Sequence, residues 1–264
     1  MELWQAIILG IVQGISEFLP ISSSGHLVVL QRMFGLDLPG ITFDIVLHLG
    51  SLAAIFVVFW QDILALIKKP FQKMTGLLVV GTLPVVVAGF LFREQILGIF
   101  HQAFFLALAF IFTGALLWVA DGLTKGTKNA TDITWLDALI IGGMQAVGLP
   151  PGISRSGATI TGALACGLNR ETAARFSFLL AIIAITGAGV MEAFDLYQAT
   201  EPVFYREDVL PFMIGFAASA LASYLSIRLL LQLLKSCKLR YFSYYLFVLA
   251  AWLLVDHFVL NWFF

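Results

Sequence analysis

The sequence predicts an all-α polytopic membrane protein, with six transmembrane helices and two re-entrant helical hairpins in an inverted-topology repeat. Three observations lead to this class: the composition, the alternation of long and interrupted apolar segments, and a motif repeated at half the chain length. Of the 264 residues, 60% are hydrophobic and 12% are charged, and the mean hydropathy is +0.96. A soluble domain is ~45–50% apolar and ~25% charged. Soluble, disordered, collagen-like and coiled-coil classes are therefore excluded, and a net charge of −1 leaves no basic face for nucleic acid.

Six continuous apolar segments are long enough to cross a bilayer, since a spanning helix needs ~20 mostly apolar residues. Two further apolar regions are interrupted: the first broken segment, 4–34, by Pro20 and a Ser-Ser-Ser-Gly run, and the second broken segment, 135–170, by several Pro, Gly and Ser residues. Their halves are only about 12–18 residues long, which favours re-entrant hairpins. The six predicted spans are about 42–67, 76–92, 103–120, 173–194, 209–234 and 241–262.

The charges of the loops predict the orientation. Loops 68–73 and 235–240 each carry three Lys or Arg residues, whereas loop 195–208 carries mainly acidic ones. The positive-inside rule places the first two loops in the cytoplasm. Counting crossings then places loop 121–134 inside, and residues 35–41 and both termini outside.

The two broken segments share a motif. Ile21-Ser22-Ser23-Ser24-Gly25 aligns with Ile153-Ser154-Arg155-Ser156-Gly157 at an offset of 132, and Gln13 aligns with Gln145. Because 132 is half the chain length, we predict one membrane domain (1–264) made of two repeats, 1–132 and 133–264. Each repeat holds one hairpin and three spans, and an odd number of crossings inverts the second copy. The alternative is a chance match between small loop residues.

Each motif ends at the predicted start of a helix, where serine is a favoured N-cap. Two helix N-termini facing each other would form an anion site, and the guanidinium of Arg155 matches phosphate oxygens. The alternative is structural, with serines that only cap helices and an Arg155 that only pairs with Glu17 to join the two hairpins. The candidate phosphate-binding residues are Ser22, Ser24, Gly25, Ser154, Ser156, Gly157 and Thr159.

Acidic and histidine side chains flank the first motif. Glu17 follows Gln13 by four residues, so both share a helix face, and Glu17 could bind a cation or act as a base. His26 could be a nucleophile, an acid or a base. Asp44 and His48 share a face of the first predicted span and are further candidates.

Two longer runs carry a family resemblance. Residues 13–27, QGISEFLPISSSGHL, and 151–159, PGISRSGAT, resemble the two signatures of the integral-membrane undecaprenyl pyrophosphate phosphatases, the bacitracin-resistance family. The resemblance implies removal of the terminal phosphate from undecaprenyl pyrophosphate, which recycles the lipid carrier for cell-wall synthesis, and it implies a divalent cation, Mg²⁺ or Ca²⁺. It also implies a bacterial plasma-membrane location. The positions that match the family's functional residues are Glu17, Ser23, His26, Ser154, Arg155 and Thr159.

One position departs from the family pattern. Many members carry Glu where this chain has Gln13, so a mechanism that needs two carboxylates on the metal is in doubt. Glu17, with Gln13, remains the candidate for the metal site.

We therefore predict Glu17, Ser23, His26 and Arg155 as catalytic residues in a pocket that opens outward. Attack by Ser23, attack by His26, and attack by water with His26 as base all stay open at this stage. A different class also stays open, in which the chain flips a phosphorylated polyprenyl lipid. The expected partners are the lipid substrate and membrane lipid. A monomer and a homodimer both stay open.

Overall fold

The structure is a computed structural model, and it describes residues 1–36, 41–99, 102–123, 126–198, 209–236 and 238–264. These residues are helical almost throughout, and the β-pairing among them is an isolated bridge between Lys128 and Leu168. A short 3₁₀ turn precedes α8, and a π-helical turn follows α12. The helices are α1 (Leu3–Phe18), α2 (Ser23–Met33), α3 (Ile41–Val58), α4 (Trp60–Lys68), α5 (Lys73–Leu91), α6 (Arg93–Ile99), α7 (Ala103–Gly122), α8 (Trp135–Val147), α9 (Arg155–Ala165), α10 (Arg170–Gln198), α11 (Val209–Ser236) and α12 (Arg240–Val255).

Five to six helices are candidates to cross a membrane, which confirms a multi-pass, all-α class. Five of the described helices, α5, α7, α10, α11 and α12, are long and apolar enough on their own. A sixth span requires α3 and α4 together, and these two are bent by 79°. The predicted continuous span 42–67 is therefore broken. Phe59 leaves the helical conformation, with φ −102° and ψ 22°, and α4 carries both Asp62 and Lys68.

The two broken segments each form a pair of short helices. Helices α1 and α8 have 16 and 13 residues, and α2 and α9 have 11 residues each. The serines predicted as N-caps occupy those positions: Ser22 Oγ accepts from the Gly25 N–H at 3.4 Å, and Ser154 Oγ accepts from the Gly157 N–H at 3.1 Å. The predicted helix starts at the two motifs are confirmed, and α2 and α9 begin 132 residues apart.

Helix packing in one half of the chain is matched in the other. Helix α1 packs along α11 and α8 packs along α5, while α3 contacts α11 and α10 contacts α5. Glycines allow these close approaches: a Cβ on Gly10 would lie 2.6 Å from the Gly215 carbonyl oxygen, and Gly142 meets the backbone of Gly81 in the same way. Gly10 and Gly142 are themselves 132 residues apart.

Aromatic side chains pack against one another in the interior beside the first broken segment. The Phe18 ring meets the Phe178 ring edge-on at 5.5 Å, and Phe178 meets Phe59 at 5.8 Å. Large apolar side chains also cover the outside, such as Val57, of which 66% is exposed. An apolar exterior of this kind suits a lipid environment rather than water.

Polar contacts gather several loops at one end of the bundle. The Lys73 ammonium donates to the Thr131 carbonyl at 3.0 Å, and the Arg240 guanidinium binds the Asp121 carboxylate at 2.6 Å. The start of α5, the loop between α7 and α8, and the start of α12 therefore lie together. Most of the predicted acidic loop 195–208 lies outside the described residues.

Candidate active site

A buried carboxylate, Glu17, is the centre of the polar cluster. Its Oε1 accepts from Arg155 Nη2 at 2.5 Å, and its Oε2 accepts from the Ser23 hydroxyl at 2.5 Å and from the Gln13 amide at 3.0 Å. His48 Nε2 lies 3.5 Å from the same oxygen. The Glu17 side chain is only 5% exposed, so these contacts replace the water that an ionised carboxylate needs.

Helix ends bring these residues together. Glu17 lies in the last turn of α1, with Gln13 one turn before it, while Ser23 and Arg155 are the first residues of α2 and α9. The Thr113 hydroxyl holds the second loop by donating to the Gly152 carbonyl at 3.0 Å. The structure thus brings Glu17, Gln13, Ser23 and Arg155 into contact with one another around one carboxylate.

The N-termini of α2 and α9 have matching local geometry. Ser22 and Ser24 place their hydroxyl oxygens 3.3 Å apart, and Ser154 and Ser156 place theirs 3.2 Å apart. The copies differ at Ser22, whose φ of 70° is in a region that only glycine enters freely. Such a conformation costs about 1–3 kcal/mol and persists where the surroundings hold it. The first loop is therefore the more constrained of the two.

A cavity of about 620 Å³ connects the two loops to an apolar groove. One end is polar and is lined by Glu17, His48 and residues 22–24 and 154–156. The other side is lined by apolar residues of α5 and α10, such as Val86 and Ile183. A molecule with an anionic head and a hydrocarbon tail matches this division.

His26 lies beside this cavity rather than on its wall. Its Nδ1 is 2.7 Å from the Ser22 carbonyl oxygen and its Nε2 is 2.7 Å from the Tyr245 hydroxyl. The ring also meets Phe110 edge-on at 5.4 Å. Both ring nitrogens have partners within the protein, so this geometry suits a residue that positions the first loop.

Three of the predicted phosphate-binding residues, Gly25, Gly157 and Thr159, make contacts that hold the two loops. The backbone N–H groups of Gly25 and Gly157 donate to the N-cap hydroxyls of Ser22 and Ser154. A Cβ on Gly25 would lie 2.6 Å from Phe110 and 2.9 Å from Gly152 Cα. Thr159 is buried, accepts or donates at 2.6 Å with Ser177, and donates to the Arg155 carbonyl at 2.9 Å. These contacts shape the loops and leave the cavity wall to other residues.

Of the two weaker candidates, His48 faces the cavity and Asp44 does not line it. Asp44 Oδ1 accepts from the Gln31 amide at 2.7 Å, and the Asp44 carbonyl is 2.7 Å from His48 Nδ1. Asp44 thus supports the turn that carries His48 toward Glu17.

Sequence reasoning assigned no role to several side chains that the structure brings to the site. Tyr245 contacts His26 from 219 residues away, and Thr113 holds the second loop from another helix. Neither had a sequence signal. Gln145 lines the cavity, and its alignment with Gln13 was the signal that could have found it.

A cation would find a small donor set here. Among the residues that the structure describes, no group of three or more His, Cys, Asp or Glu side chains could hold a metal ion. Beside Glu17, however, Gln13 Oε1 is buried and has no hydrogen-bond partner in the described chain. Mg²⁺ often uses one or two carboxylates together with waters and substrate phosphates. Glu17 and Gln13 therefore fit a cation that takes most of its ligands from substrate and water.

Comparison with known proteins identifies the family. Residues 6–252 match the family described as bacitracin resistance protein BacA. The chain belongs to this family. It is 44% identical to the undecaprenyl-diphosphatase of Carboxydothermus hydrogenoformans, over 97% of both chains. It is 41% identical to undecaprenyl-diphosphatase 4 of Bacillus thuringiensis subsp. konkukian, over 98% of both chains. The undecaprenyl-diphosphatase of Methanosphaera stadtmanae is 39% identical, over 93% of this chain and 94% of that one. The resemblance carried by the two motifs is thus confirmed for BacA.

Proposed function

We propose that the chain hydrolyses undecaprenyl pyrophosphate to undecaprenyl phosphate and inorganic phosphate. This reaction recycles the lipid carrier for cell-wall synthesis, and it removes the pyrophosphate form that bacitracin targets. The observation that carries the proposal is the contact between the Ser23 hydroxyl and Glu17, beside Arg155 and at the head of an apolar groove. That arrangement unites a nucleophile, a base and a cation, and membership of the BacA family supports it.

The division of the cavity into a polar end and an apolar groove supports a proposed position for the substrate. The polyprenyl tail lies along the groove between α5 and α10, where exposed side chains such as Phe90 and Val86 are apolar. The pyrophosphate lies between the N-termini of α2 and α9. Their free N–H groups and positive dipole ends favour an anion there.

The chemistry proceeds in two steps. The Ser23 oxygen attacks the terminal phosphorus, and the bond from that phosphorus to the bridging oxygen breaks. The hydroxyl proton passes to Glu17 and then to the departing undecaprenyl phosphate. Water next attacks the phosphoserine, Glu17 takes its proton and returns it to Ser23, and inorganic phosphate leaves. A base at hydrogen-bond distance from the nucleophile is the requirement for this route.

Arg155 stabilises the charge on the phosphoryl group during transfer. Its Nη2 holds Glu17, while its Nη1 is buried without a hydrogen-bond partner among the described residues and is available to the substrate. The guanidinium therefore both joins the two hairpins and serves the anion, so the two interpretations drawn from the sequence coexist.

Ser23 is preferred to His26 as the nucleophile because both ring nitrogens of His26 are engaged. In this proposal His26 is a positioning residue that holds the strained backbone at Ser22. Water attack with His26 as base stays the alternative, and the Ser23 variant below decides between the two.

A divalent cation, Mg²⁺ or Ca²⁺, is part of the proposal. Glu17 and Gln13 would hold it together with substrate oxygens. When bound, it neutralises negative charge on the pyrophosphate. A homodimer stays a prediction.

The inverted repeat is also proposed, with repeats 1–132 and 133–264 and six spans plus two re-entrant hairpins. The matched packing of α1 on α11 and α8 on α5 supports it. So does the orientation of the close contacts. Gly10 approaches Gly215 and Gly14 approaches Ser219, so α1 runs parallel to α11 and its first residue lies at the same end as the start of α11.

The pocket is proposed to open at the outer face of a bacterial plasma membrane. Lysine-bearing loops meet at one end of the bundle, which the positive-inside rule makes cytoplasmic. Gly89 and Phe90 line the cavity near the opposite end of α5, and Met191 lines it in the later part of α10. Both termini then lie outside. Labelling of Tyr205→Cys, but not of Gln72→Cys, by a membrane-impermeant maleimide on intact cells is expected, and the reverse pattern would refute this orientation.

The test of function is phosphate release from undecaprenyl pyrophosphate by the purified protein in detergent. Ser23→Ala is expected to lose at least a thousandfold in kcat. Ser24→Ala, one residue along the same helix turn, is expected to lose less because the Ser24 hydroxyl contacts the Ser22 hydroxyl and not Glu17 among the described residues. Activity retained by Ser23→Ala would transfer the attack to His26 or water.

Lipid transport is the second candidate function, since opposed broken helices occur in transporters. A transporter needs an anion site but no nucleophile. Wild-type protein that binds the pyrophosphate lipid, releases no phosphate and moves the lipid between the leaflets of vesicles would favour transport.

A further inference from the structure

Gln145 stands out among the buried polar side chains. It lies in α8, is 1% exposed and lines the cavity. Neither its Nε2 nor its Oε1 has a hydrogen-bond partner among the described residues. Buried side-chain amides in folded proteins are nearly always hydrogen-bonded, so an amide in a cavity wall with both ends free points to a ligand.

The other repeat shows why this amide is free. Gln13, 132 residues earlier, is equally buried, and its amide donates to Glu17 at 3.0 Å. The residue that aligns with Glu17 is Leu149, which has no acceptor. Gln13 therefore donates to the carboxylate of the first hairpin, whereas the corresponding Gln145 has both N–H donors of its amide available in the second.

A second free donor lies on the same hairpin. Arg155 Nη1 is buried without a partner in the described chain, and Arg155, Ser154 and Gln145 all line the cavity. The Gln145 amide and Arg155 Nη1 are hydrogen-bond donors that do not contact a carboxylate of the second hairpin. Such donors suit an anion, and the guanidinium supplies the positive charge. A neutral amide adds directed N–H groups without adding a further buried charge.

We propose that Gln145 is a binding residue for the pyrophosphate group and donates an amide N–H to one of its oxygens beside Arg155. This inference rests on the proposed function for the identity of the ligand. Its contact forms when the lipid binds and persists through the transfer, so it lowers KM and leaves kcat nearly unchanged.

The first experiment compares Gln145→Met with wild-type protein in the phosphate-release assay. Methionine keeps the length and volume of the side chain and removes its donors. A lost hydrogen bond to a charged group corresponds to a rise in KM of about 10- to 100-fold, with kcat within about threefold. Gln5→Met is the matched control, because Gln5 is also buried but does not line the cavity, and its amide oxygen accepts from the Glu2 N–H at the start of α1. It is expected to behave as wild type.

The second experiment measures equilibrium binding of farnesyl pyrophosphate and of farnesol in a Ser23→Ala background, which prevents turnover. Adding Gln145→Met is expected to weaken farnesyl pyrophosphate binding by the same factor and to leave farnesol binding unchanged. Gln145→Glu is expected to weaken the pyrophosphate further, because a carboxylate repels it. Gln145→Asn keeps the amide but withdraws it by one methylene, and it serves as the folded alternative should the methionine variant misfold.

The outcomes are distinguishable. KM and farnesyl pyrophosphate binding within twofold of the reference in Gln145→Met or Gln145→Asn would overturn the inference, as would equal losses of pyrophosphate and farnesol binding. Wild-type protein that releases no phosphate would overturn the proposed function alone, because the binding experiment still decides the role of Gln145.

Discussion

Replacing Arg155 by lysine separates the two contacts that its guanidinium makes. Nη2 binds Glu17, and Nη1 is buried without a hydrogen-bond partner among the described residues, while Arg155 itself lines the cavity. Lysine keeps the positive charge but has a single nitrogen on a shorter side chain. It can therefore pair with Glu17 or with the phosphate, but it does not bridge the two. The side chains of Arg155 and Glu17 are 18% and 5% exposed, so solvent replaces little of what is lost.

The magnitudes follow from these contacts. Losing one donor to a transferring group raises the barrier by about 2.7–4 kcal/mol, which corresponds to a factor of about 10²–10³ in kcat. Arg155→Lys is therefore expected to lose activity by that factor while unfolding near the wild-type temperature. Arg155→Ala leaves a buried carboxylate without its cation, a change that destabilises proteins by about 3–5 kcal/mol, and it is expected to lose both turnover and thermal stability.

The assay is phosphate release from undecaprenyl pyrophosphate in detergent, with thermal unfolding followed in the same samples. Arg175→Lys is the control, since Arg175 is 52% exposed and its ion pair with Asp62 is 3.9 Å long. Arg155→Lys with more than one-third of wild-type kcat would show that Nη1 does not serve the reaction. A folded Arg155→Ala with near-normal activity would remove Arg155 from the site.

Three further variants and an EDTA treatment test the rest of the site. Glu17→Gln is expected to reduce kcat by about 10²–10⁴, the usual contribution of a general base, and a pH–rate profile that keeps its acidic limb in this variant would exclude that role. Tyr245→Phe removes one hydrogen bond from His26 and keeps the ring, so we expect a loss of severalfold in kcat; a loss as large as that of Glu17→Gln would place His26 in the chemistry. Gly25→Ala places a methyl 2.6 Å from Phe110, and a lower unfolding temperature with reduced activity is expected; unchanged values would mean that the loop relaxes freely. EDTA is expected to abolish phosphate release and added Mg²⁺ or Ca²⁺ to restore it, whereas full activity in EDTA would exclude a required cation.

Much of the fold was predictable because segments that lie in lipid are apolar over their whole length, and this pattern is visible in the sequence. Every spanning helix must satisfy its own backbone and present apolar side chains to lipid, so hydropathy alone locates the spans. The serine caps at Ser22 and Ser154 are local as well, and α2 and α9 begin where those caps predict. The bend at Phe59 was not predicted, because continuous hydropathy carries no information on the direction of a helix.

The sequence by itself determined the membrane class, the position of the two loops and the set of chemical groups they carry, since these depend on composition and local spacing. Only the tertiary structure decided which groups meet. Arg155 reaches Glu17 across 138 residues and His26 reaches Tyr245 across 219, because helix rotation and crossing set the direction of each side chain. The same geometry left Gln145 beside the cavity without a hydrogen-bond partner among the described residues. The alignment with Gln13 marked the position of Gln145, but not this environment.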